Sequence, residues 1–260
     1  MKNRLNHNWW KHIFDDIYLL TDSRSVCNEE LTRKETDFIE HFLSGNKPAS
    51  VLDLCGGHGR HALELSRRGY TNITVLDYSQ YLLELGMNNA MKEGLAVNFI
   101  RGDARDTGLV AVQFNYIILM ASSFGYFTET EENTRILREI FRLLTTKGKV
   151  LLDLPDRDYC LENFRPFSSH EVDKDISVER HRERDDKEII YCREIVRSKN
   201  KGILRDSVYC IRLFKPEVIN SLLTSAGLKI VSNNSGFMDR RGSGDFGCMT
   251  NRRIIIAEKP

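Results

Sequence analysis

Short apolar runs alternate with amphipathic stretches along the first part of this 260-residue chain. The apolar runs predict strands, and the stretches between them, with apolar residues three or four positions apart, predict helices. This alternation predicts a doubly wound parallel sheet. The predicted strands are residues 50–54, 73–76, 97–100, 115–119 and 149–154. The predicted helices are residues 10–20, 29–43, 79–93 and 129–144, the last opening with a capping-box pattern, Thr-Glu-Thr-Glu, at residues 128–131.

The pattern changes after Pro155. Residues 175–183, 188–197 and 205–214 alternate polar and apolar side chains and are rich in β-branched and aromatic residues, which predicts three antiparallel strands. The first pattern then resumes with a helix at 216–226, closed by Gly227, and strands at 228–233 and 252–258. The sequence therefore predicts an α/β fold with an antiparallel β insertion after the fifth strand.

Residues 51–60, Val-Leu-Asp-Leu-Cys-Gly-Gly-His-Gly-Arg, carry the strongest functional signal. A predicted strand passes through glycines into a helix there, which brings backbone amides and the positive end of the helix to a ligand. The next strand ends in Asp77, roughly 20 residues later, where a carboxylate can bind both hydroxyls of a ribose. This combination predicts a site for a nucleoside-containing cofactor.

Asp53 indicates which cofactor this is. In sites for a pyrophosphate the glycines follow the strand directly, because a buried carboxylate would repel the phosphates. Asp53 instead favours a ligand with positive charge. S-adenosylmethionine fits, since it carries a sulfonium and an ammonium group and no phosphate.

Residues 52–61 resemble the Leu-Asp-Leu-Cys-(Cys/Gly)-Gly-x-Gly-Arg-His motif of small-molecule class I S-adenosylmethionine-dependent methyltransferases. The resemblance implies a Rossmann-like methyltransferase sheet, S-adenosyl-L-methionine as cofactor, and transfer of its methyl group to nitrogen or oxygen of a small acceptor. Cys55 replaces the first glycine of the commoner form of the motif, which costs little if its φ angle is negative.

The resemblance also implies which residues contact the cofactor. Asp103 would accept a hydrogen bond from the adenine amine and Ala104 would donate its backbone amide to a ring nitrogen. Taken alone, Asp103 is an equally good turn-capping residue. The predicted cofactor-binding residues are Tyr18, Asp53, Cys55, Gly56, Gly57, Gly59, Asp77, Tyr78, Asp103, Ala104 and Met120.

An aromatic cluster, Phe124, Tyr126 and Phe127, follows the fourth strand at the edge where open α/β sheets bind ligands. The resemblance implies that these side chains line the acceptor site; core packing is the alternative. Tyr126 and His170 are candidate catalytic bases. Methyl transfer depends mainly on alignment and removal of water, so no catalytic pair is required.

The predicted division of the chain follows these patterns. Residues 1–45 form an N-terminal helical lid carrying Trp9 and Trp10, or a helix packed permanently on the domain. Residues 46–160 and 215–260 form the cofactor-binding core. Residues 161–214 form the insertion, which covers the acceptor or contacts a second subunit in a homodimer, or is an extension without a chemical role.

Composition narrows the function further. The chain has 38 lysines and arginines and 37 acidic residues, a net charge of +1. No stretch of the sequence is basic without acidic residues among it, so nucleic acid is not expected as a partner. No apolar run is long enough to span a bilayer, and the 6 cysteines are scattered without metal-ligand spacing, so we expect a cytoplasmic protein without a bound metal. The alternatives are a nucleic-acid or protein methyltransferase on the same fold and a non-catalytic S-adenosylmethionine-binding regulator.

We expect S-adenosylmethionine and S-adenosylhomocysteine to raise the melting temperature of the protein, and NAD and NADP not to, because Asp53 is a poor neighbour for a pyrophosphate. A thermal-shift screen of the four ligands measures this directly. Stabilisation by a dinucleotide alone would overturn both the cofactor and the function predicted here.

Overall fold

The computed structural model describes residues 1–238, 240 and 246–260. Its alternating strands and helices form a seven-stranded central sheet, and the insertion forms a separate four-stranded sheet. The strands are β1 (Val51–Leu54), β2 (Ile73–Asp77), β3 (Val97–Arg101), β4 (Phe114–Leu119), β5 (Leu144–Pro155), β6 (Phe167–Glu171), β7 (Ile176–Arg184), β8 (Ile189–Ser198), β9 (Gly202–Arg212), β10 (Lys229–Phe237) and β11 (Arg252–Glu258). The helices are α1 (Asp16–Thr21), α2 (Ser23–Val26), α3 (Glu29–Phe42), α4 (Arg60–Arg67), α5 (Gln80–Glu93), α6 (Thr130–Leu143), α7 (Arg157–Glu162) and α8 (Pro216–Ser225), with 3₁₀ turns at Lys2–Arg4, Trp9–Lys11 and Gly247–Met249.

The central sheet has the strand order β10-β11-β5-β4-β1-β2-β3. Strands β1 to β5 are parallel, as predicted, whereas β11 runs antiparallel to both β5 and β10. The sheet is therefore mixed, because no α-helix crosses over between β10 and β11 in the described residues. The strand order reverses between β1 and β4, and ligands of open α/β sheets bind at such a point, beyond the carboxyl ends of the strands.

The insertion folds as an antiparallel sheet in the order β6-β7-β8-β9, called the insertion sheet below. Three of these strands were predicted, but β6 and the short helix α7 were not. Strand β6 reads Phe-Ser-Ser-His-Glu and lies at an edge of the sheet, so it has one neighbouring strand and little apolar patterning to reveal it.

Two local predictions in the helices were wrong. The helix expected at residues 10–20 is divided into the turn Trp9–Lys11 and α1, because the Asp15 carboxylate accepts a hydrogen bond from the Tyr18 amide and starts a new helix. The capping box expected at α6 is also absent: Glu129 is the N-cap residue and its side chain makes no capping hydrogen bond. The side-chain amide of Asn133 instead donates hydrogen bonds to the backbone carbonyls of Phe127 and Glu129, at 2.8 and 3.0 Å.

A network of buried ion pairs joins helix α3 to the central sheet. The guanidinium of Arg252, on β11, has no exposed surface and pairs with Glu35 of α3 and, at 2.5 Å, with Asp153 of β5. Glu35 also contacts Arg60 at 2.5 Å and His61 at 2.9 Å, both on α4. Burial alone would raise the pKa of Glu35, but Arg60, His61 and Arg252 hold it well below its ordinary value.

We expect Glu35→Ala to destabilise the protein by about 3–5 kcal/mol at pH 7, since it leaves buried arginine charges uncompensated. Urea unfolding measures the change. Glu30→Ala, on the exposed side of the same helix, is the matched control and should change stability little. Because the Glu35 pKa is depressed in the folded state, the difference between wild type and Glu35→Ala should shrink as the pH falls below 4.5. Equal unfolding midpoints for the two variants would contradict the role given to the network.

Candidate functional site

The glycine turn between β1 and α4 is shaped by close packing of its backbone. A Cβ atom on Gly56 would lie 2.6 Å from Cγ of Asp53, so any other residue would displace that carboxylate. Gly59 is the N-cap of α4 and has a φ angle of 70°, a left-handed conformation that glycine adopts without strain. The expectation of a negative φ for Cys55 was wrong: its φ is 57°, so this cysteine bears the strain that glycine avoids in the commoner motif.

Asp53 is buried at the base of this turn, and no described residue donates a well-aligned hydrogen bond to either of its carboxylate oxygens, although the Ala62 amide lies near enough to lower its pKa slightly. Burial raises the pKa of Asp53 to about 7, with the nearby Asp77 adding to the shift and Arg60 opposing it. A buried carboxylate without a donor is costly in the free protein. A cationic ligand group in the turn would remove that cost.

Asp77 lies at the end of β2, next to the turn. Its Oδ2 accepts a hydrogen bond from the Gly57 amide and its Oδ1 accepts one from the Ser79 amide, both at 2.8 Å. Burial raises its pKa, and these amides oppose the shift. Each carboxylate oxygen has more than one acceptor position, so Asp77 can support the turn and still accept from a ligand hydroxyl.

A narrow cavity of about 90 Å³ opens beside Asp77, at the carboxyl ends of β1, β2 and β3. It brings together the predicted residues Tyr18, Asp77, Tyr78, Asp103 and Ala104. Sequence reasoning missed four lining residues, Phe14, Gly102, Ser123 and Ile136, because none has a charged side chain or lies in the glycine-turn motif. The full lining is Trp10, Phe14, Tyr18, Cys55, Asp77, Tyr78, Gly102, Asp103, Ala104, Ser123, Tyr126, Phe127 and Ile136.

Two predicted cofactor residues have other local contacts. Asp103 caps its own turn by accepting from the Arg105 amide at 2.9 Å, and it also pairs with the Arg105 guanidinium at 2.6 Å. Both the turn-capping role and the place in the cavity therefore hold for Asp103. Met120, at the end of β4, is buried in the core and is not among the residues that line the narrow cavity.

A wide cavity of about 370 Å³ lies between the insertion sheet, the N-terminal segment and the loop after β4. Phe14, Tyr18 and Tyr126 line both cavities, so the two adjoin at these three rings. The full lining is Trp9, Ile13, Phe14, Tyr18, Asp22, Arg24, Ser25, Val26, Ala121, Ser122, Tyr126, Ser168, Ser169, His170, Arg180, Arg182, Ile190, Cys192, Glu194, Arg205, Tyr209, Cys210, Ile211, Phe246, Gly247 and Met249.

The loop after β4 presents its residues differently from the expected pattern. Tyr126 packs its ring against Phe14, with 5.7 Å between centroids, and Phe127 lines the narrow cavity. Phe124 corrects the expectation: its ring is fully buried in the core against Phe214 and is not among the lining residues of either cavity. Phe124 points into the core because Ala121 and Ser122, just before it, have left-handed φ angles that redirect the chain.

The two candidate bases differ in their protonation. Burial raises the pKa of Tyr126 well above its ordinary value, so its hydroxyl stays protonated and acts as a donor or a neutral acceptor. His170, on β6, faces the wide cavity. Burial, together with the charges of Arg180 and Arg24, lowers the pKa of His170 and keeps its ring neutral at pH 7.

Ion pairs fasten the N-terminal segment to the insertion sheet. Asp15 pairs with Arg205, and Asp22 pairs with Arg180 at 3.0 Å. Both arginines also contact Glu194, at 3.4 and 2.8 Å. The segment that carries Trp9 and Trp10 is thus held over both cavities in this structure by charge as well as by ring packing.

Among the side chains that the structure describes, no group of three or more His, Cys, Asp or Glu residues is placed to hold a metal ion. These are the side chains of residues 1–238, 240 and 246–260 except Cys248. In the same part of the chain, no helix combines the length and the apolar character needed to cross a membrane.

Comparison with known proteins agrees with this geometry. Residues 51–148 match a family model described as a methyltransferase domain. Glycine/sarcosine N-methyltransferase of Aphanothece halophytica is 25% identical over 49% of this chain and 48% of its own length. The chain spans between 20% and 62% of the lengths of four curated relatives.

Solved structures share the fold over most of the chain. An S-adenosylmethionine-dependent methyltransferase of Clostridium acetobutylicum superposes with a TM-score of 0.72 at 18% identity, covering 87% of this chain and 91% of that one. The amino pentose methyltransferase CalS10 of Micromonospora echinaspora, solved with S-adenosylmethionine bound, gives 0.65 at 17% identity, with coverage of 89% and 91%. The comparisons confirm the predicted α/β fold and a methyltransferase domain at residues 51–148.

We expect Asp53→Asn to weaken S-adenosylhomocysteine binding tenfold or more, since the amide cannot replace the negative charge that the sequence predicts to attract the ammonium group of the ligand. Calorimetric titration measures the affinity, and Asp37→Asn, at an exposed carboxylate on α3, is the control that should leave it unchanged.

The same Asp53→Asn variant should be more stable than wild type when no ligand is bound. The folded pKa of Asp53 is raised from 3.8 to about 7, so its ionisation costs stability as the pH rises through this interval. The gain in melting temperature should therefore be full above pH 7 and vanish below pH 3.8. A variant that is uniformly less stable than wild type would contradict the unsatisfied carboxylate.

Proposed function

We propose that this chain, which has a methyltransferase domain at residues 51–148 and the fold of S-adenosylmethionine-dependent methyltransferases, methylates nitrogen or oxygen of a small molecule. The observation that carries the proposal is the pair of adjoining cavities. The narrow one lies at the glycine turn, and the wide one, at about 370 Å³, is within the range of about 300–1,000 Å³ typical of small-molecule sites.

The residues at the glycine turn fit the cofactor. The unpartnered Asp53 carboxylate would receive the ammonium group, and Asp77 would accept from the ribose hydroxyls. Asp103 and Ala104 would bind adenine, as the motif resemblance implies. When bound there, S-adenosylmethionine supplies an electrophilic methyl group.

The remaining residues align the acceptor and exclude water. Phe14 and Tyr126, which line both cavities, form an aromatic wall with Trp9 of the wide cavity, with 5.1 Å between the centroids of Trp9 and Tyr126. Removing water from the nucleophile and holding it in line account for most of the acceleration of a methyl transfer. The neutral ring of His170 can accept a proton from an acceptor in the wide cavity.

The alternatives fit the two cavities less well. A macromolecular acceptor needs an open surface, whereas the insertion sheet and the N-terminal segment cover the wide cavity. A non-catalytic binding protein needs no acceptor space beside its ligand, whereas three rings line both cavities. The names of glycine/sarcosine N-methyltransferase and of an amino pentose methyltransferase among the similar proteins favour nitrogen as the acceptor atom.

In this proposal the division of the chain keeps its predicted bounds. Residues 1–45 cover the cofactor, residues 46–160 and 215–260 bind it, and residues 161–214 cover the acceptor. A cytoplasmic location and a homodimer stay predictions from the sequence.

The proposal is tested with methyl-labelled S-adenosylmethionine and a cell extract divided by ultrafiltration. We expect label in the small-molecule fraction and none above background in the protein and nucleic-acid fraction. Label confined to the macromolecular fraction would favour the alternative methyltransferases.

We also expect Ser168→Trp to reduce transfer at least tenfold while leaving S-adenosylhomocysteine affinity within twofold of wild type. Ser168 faces the wide cavity from β6, so an indole there occupies acceptor space. Its neighbour Phe167 is exposed, and Phe167→Trp is the matched control, expected to behave as wild type. Full turnover by Ser168→Trp, with a correctly folded protein by circular dichroism, would remove the wide cavity from the reaction.

A further inference from the structure

One arginine in the wide cavity, Arg182, has no carboxylate partner among the described residues. Arg182, on β7, is half-buried in the cavity wall, and its guanidinium donates to the Arg165 carbonyl at 3.4 Å. The described part of the chain provides no acidic side chain for it. Arg180, two residues earlier on the same strand, has two carboxylate partners, Asp22 and Glu194, so Arg182 differs from its neighbour in this respect.

The described lining of the cavity carries more positive than negative side chains. It has four arginines and two carboxylates, Asp22 and Glu194; Asp15, outside the lining, also pairs with Arg205, and the neutral His170 adds no charge. The carboxylates are engaged by Arg180 and Arg205, whereas Arg182 retains donor groups that no described side chain accepts. A partly desolvated cavity with excess positive charge attracts anions, and a guanidinium binds carboxylate or phosphate through paired hydrogen bonds.

The position of Arg182 orients such an acceptor. Tyr18 and Tyr126 line both cavities, whereas Arg182 lines the wide cavity without lining the narrow one. Gly247, in the 3₁₀ turn Gly247–Met249, has no side chain; a Cβ atom there would lie 3.8 Å from Nη2 of Arg182. An anionic group at Arg182 therefore leaves the rest of the acceptor directed toward the narrow cavity.

We propose that the acceptor carries an anionic group, a carboxylate or a phosphate, that binds Arg182 while its reacting atom lies beside Tyr18 and Tyr126. This inference rests on the proposed function and adds the substrate class. Arg182 is then a specificity-determining residue that binds the acceptor at a distance from the methyl group.

The charge of the acceptor is tested on a metabolite extract passed over an anion-exchange column at pH 7. Each fraction is incubated with the full-length protein and methyl-labelled S-adenosylmethionine. We expect the label in the retained fraction. Treating that fraction with phosphatase and phosphodiesterase before the assay distinguishes the two sources, because loss of acceptor activity identifies a phosphate and its survival a carboxylate.

The role of Arg182 is tested with Arg182→Gln and Arg182→Lys, using the retained fraction as acceptor. We expect Arg182→Gln to raise the KM for the acceptor at least tenfold with kcat and S-adenosylhomocysteine affinity within twofold of wild type, and Arg182→Lys to recover part of the loss. Arg184→Gln, at the exposed end of the same strand, is the control and should match wild type.

The possible outcomes distinguish a failure of this inference from a failure of the proposed function on which it rests. Methyl transfer confined to the unretained fraction, or equal kinetics for Arg182→Gln and Arg184→Gln, overturns the anionic acceptor and leaves the methyltransferase intact. S-adenosylhomocysteine binding without transfer to any fraction overturns the proposed function, and this inference with it.

Discussion

The buried charge of Arg252 is the constraint on which the arrangement of the molecule depends. A guanidinium with no exposed surface must be compensated within the protein, and Glu35 and Asp153 do so from opposite directions. Glu35 thereby fixes α3 against the central sheet. Asp153 also accepts a hydrogen bond from the Ala121 amide at 2.8 Å, which holds the turn at the wall of the wide cavity. The same set of charges thus positions α3 and the loop after β4.

The first part of the chain is attached by weaker means. Asp15 and Asp22 are more than one-third exposed, so their pairs with Arg205 and Arg180 are screened by water, unlike the pairs of Glu35. Glu194 contacts both arginines as well, Arg180 at 2.8 Å and Arg205 at 3.4 Å. The structure therefore has an α3 anchored by buried charges, preceded by a segment that screened ion pairs and the buried side chains of Trp9 and Trp10 hold in place.

Local patterns predicted most of the fold and most of the residues that line the narrow cavity. Asp53 lies near the end of β1 and Asp77 ends the neighbouring parallel strand β2, and chain order alone brings such residues to one edge of a sheet. The parts that were missed depend on distant partners. Strand β6 is polar and exists by pairing with β7, Phe124 turns inward because of the backbone at Ala121, and Arg182 stands out only once its neighbours are known.

In the proposed complex, the buried carboxylate of Asp53 couples cofactor binding to the release of a proton. With a pKa of about 7, this group is partly protonated in the free protein near neutral pH. An ammonium group arriving beside it favours the charged form, so cofactor uptake expels a proton to the solvent. Affinity for the cofactor should then rise with pH below neutrality, and the measured heat of binding should depend on the ionisation enthalpy of the buffer. A single buried side chain thereby makes the occupancy of the site sensitive to the acidity of its surroundings.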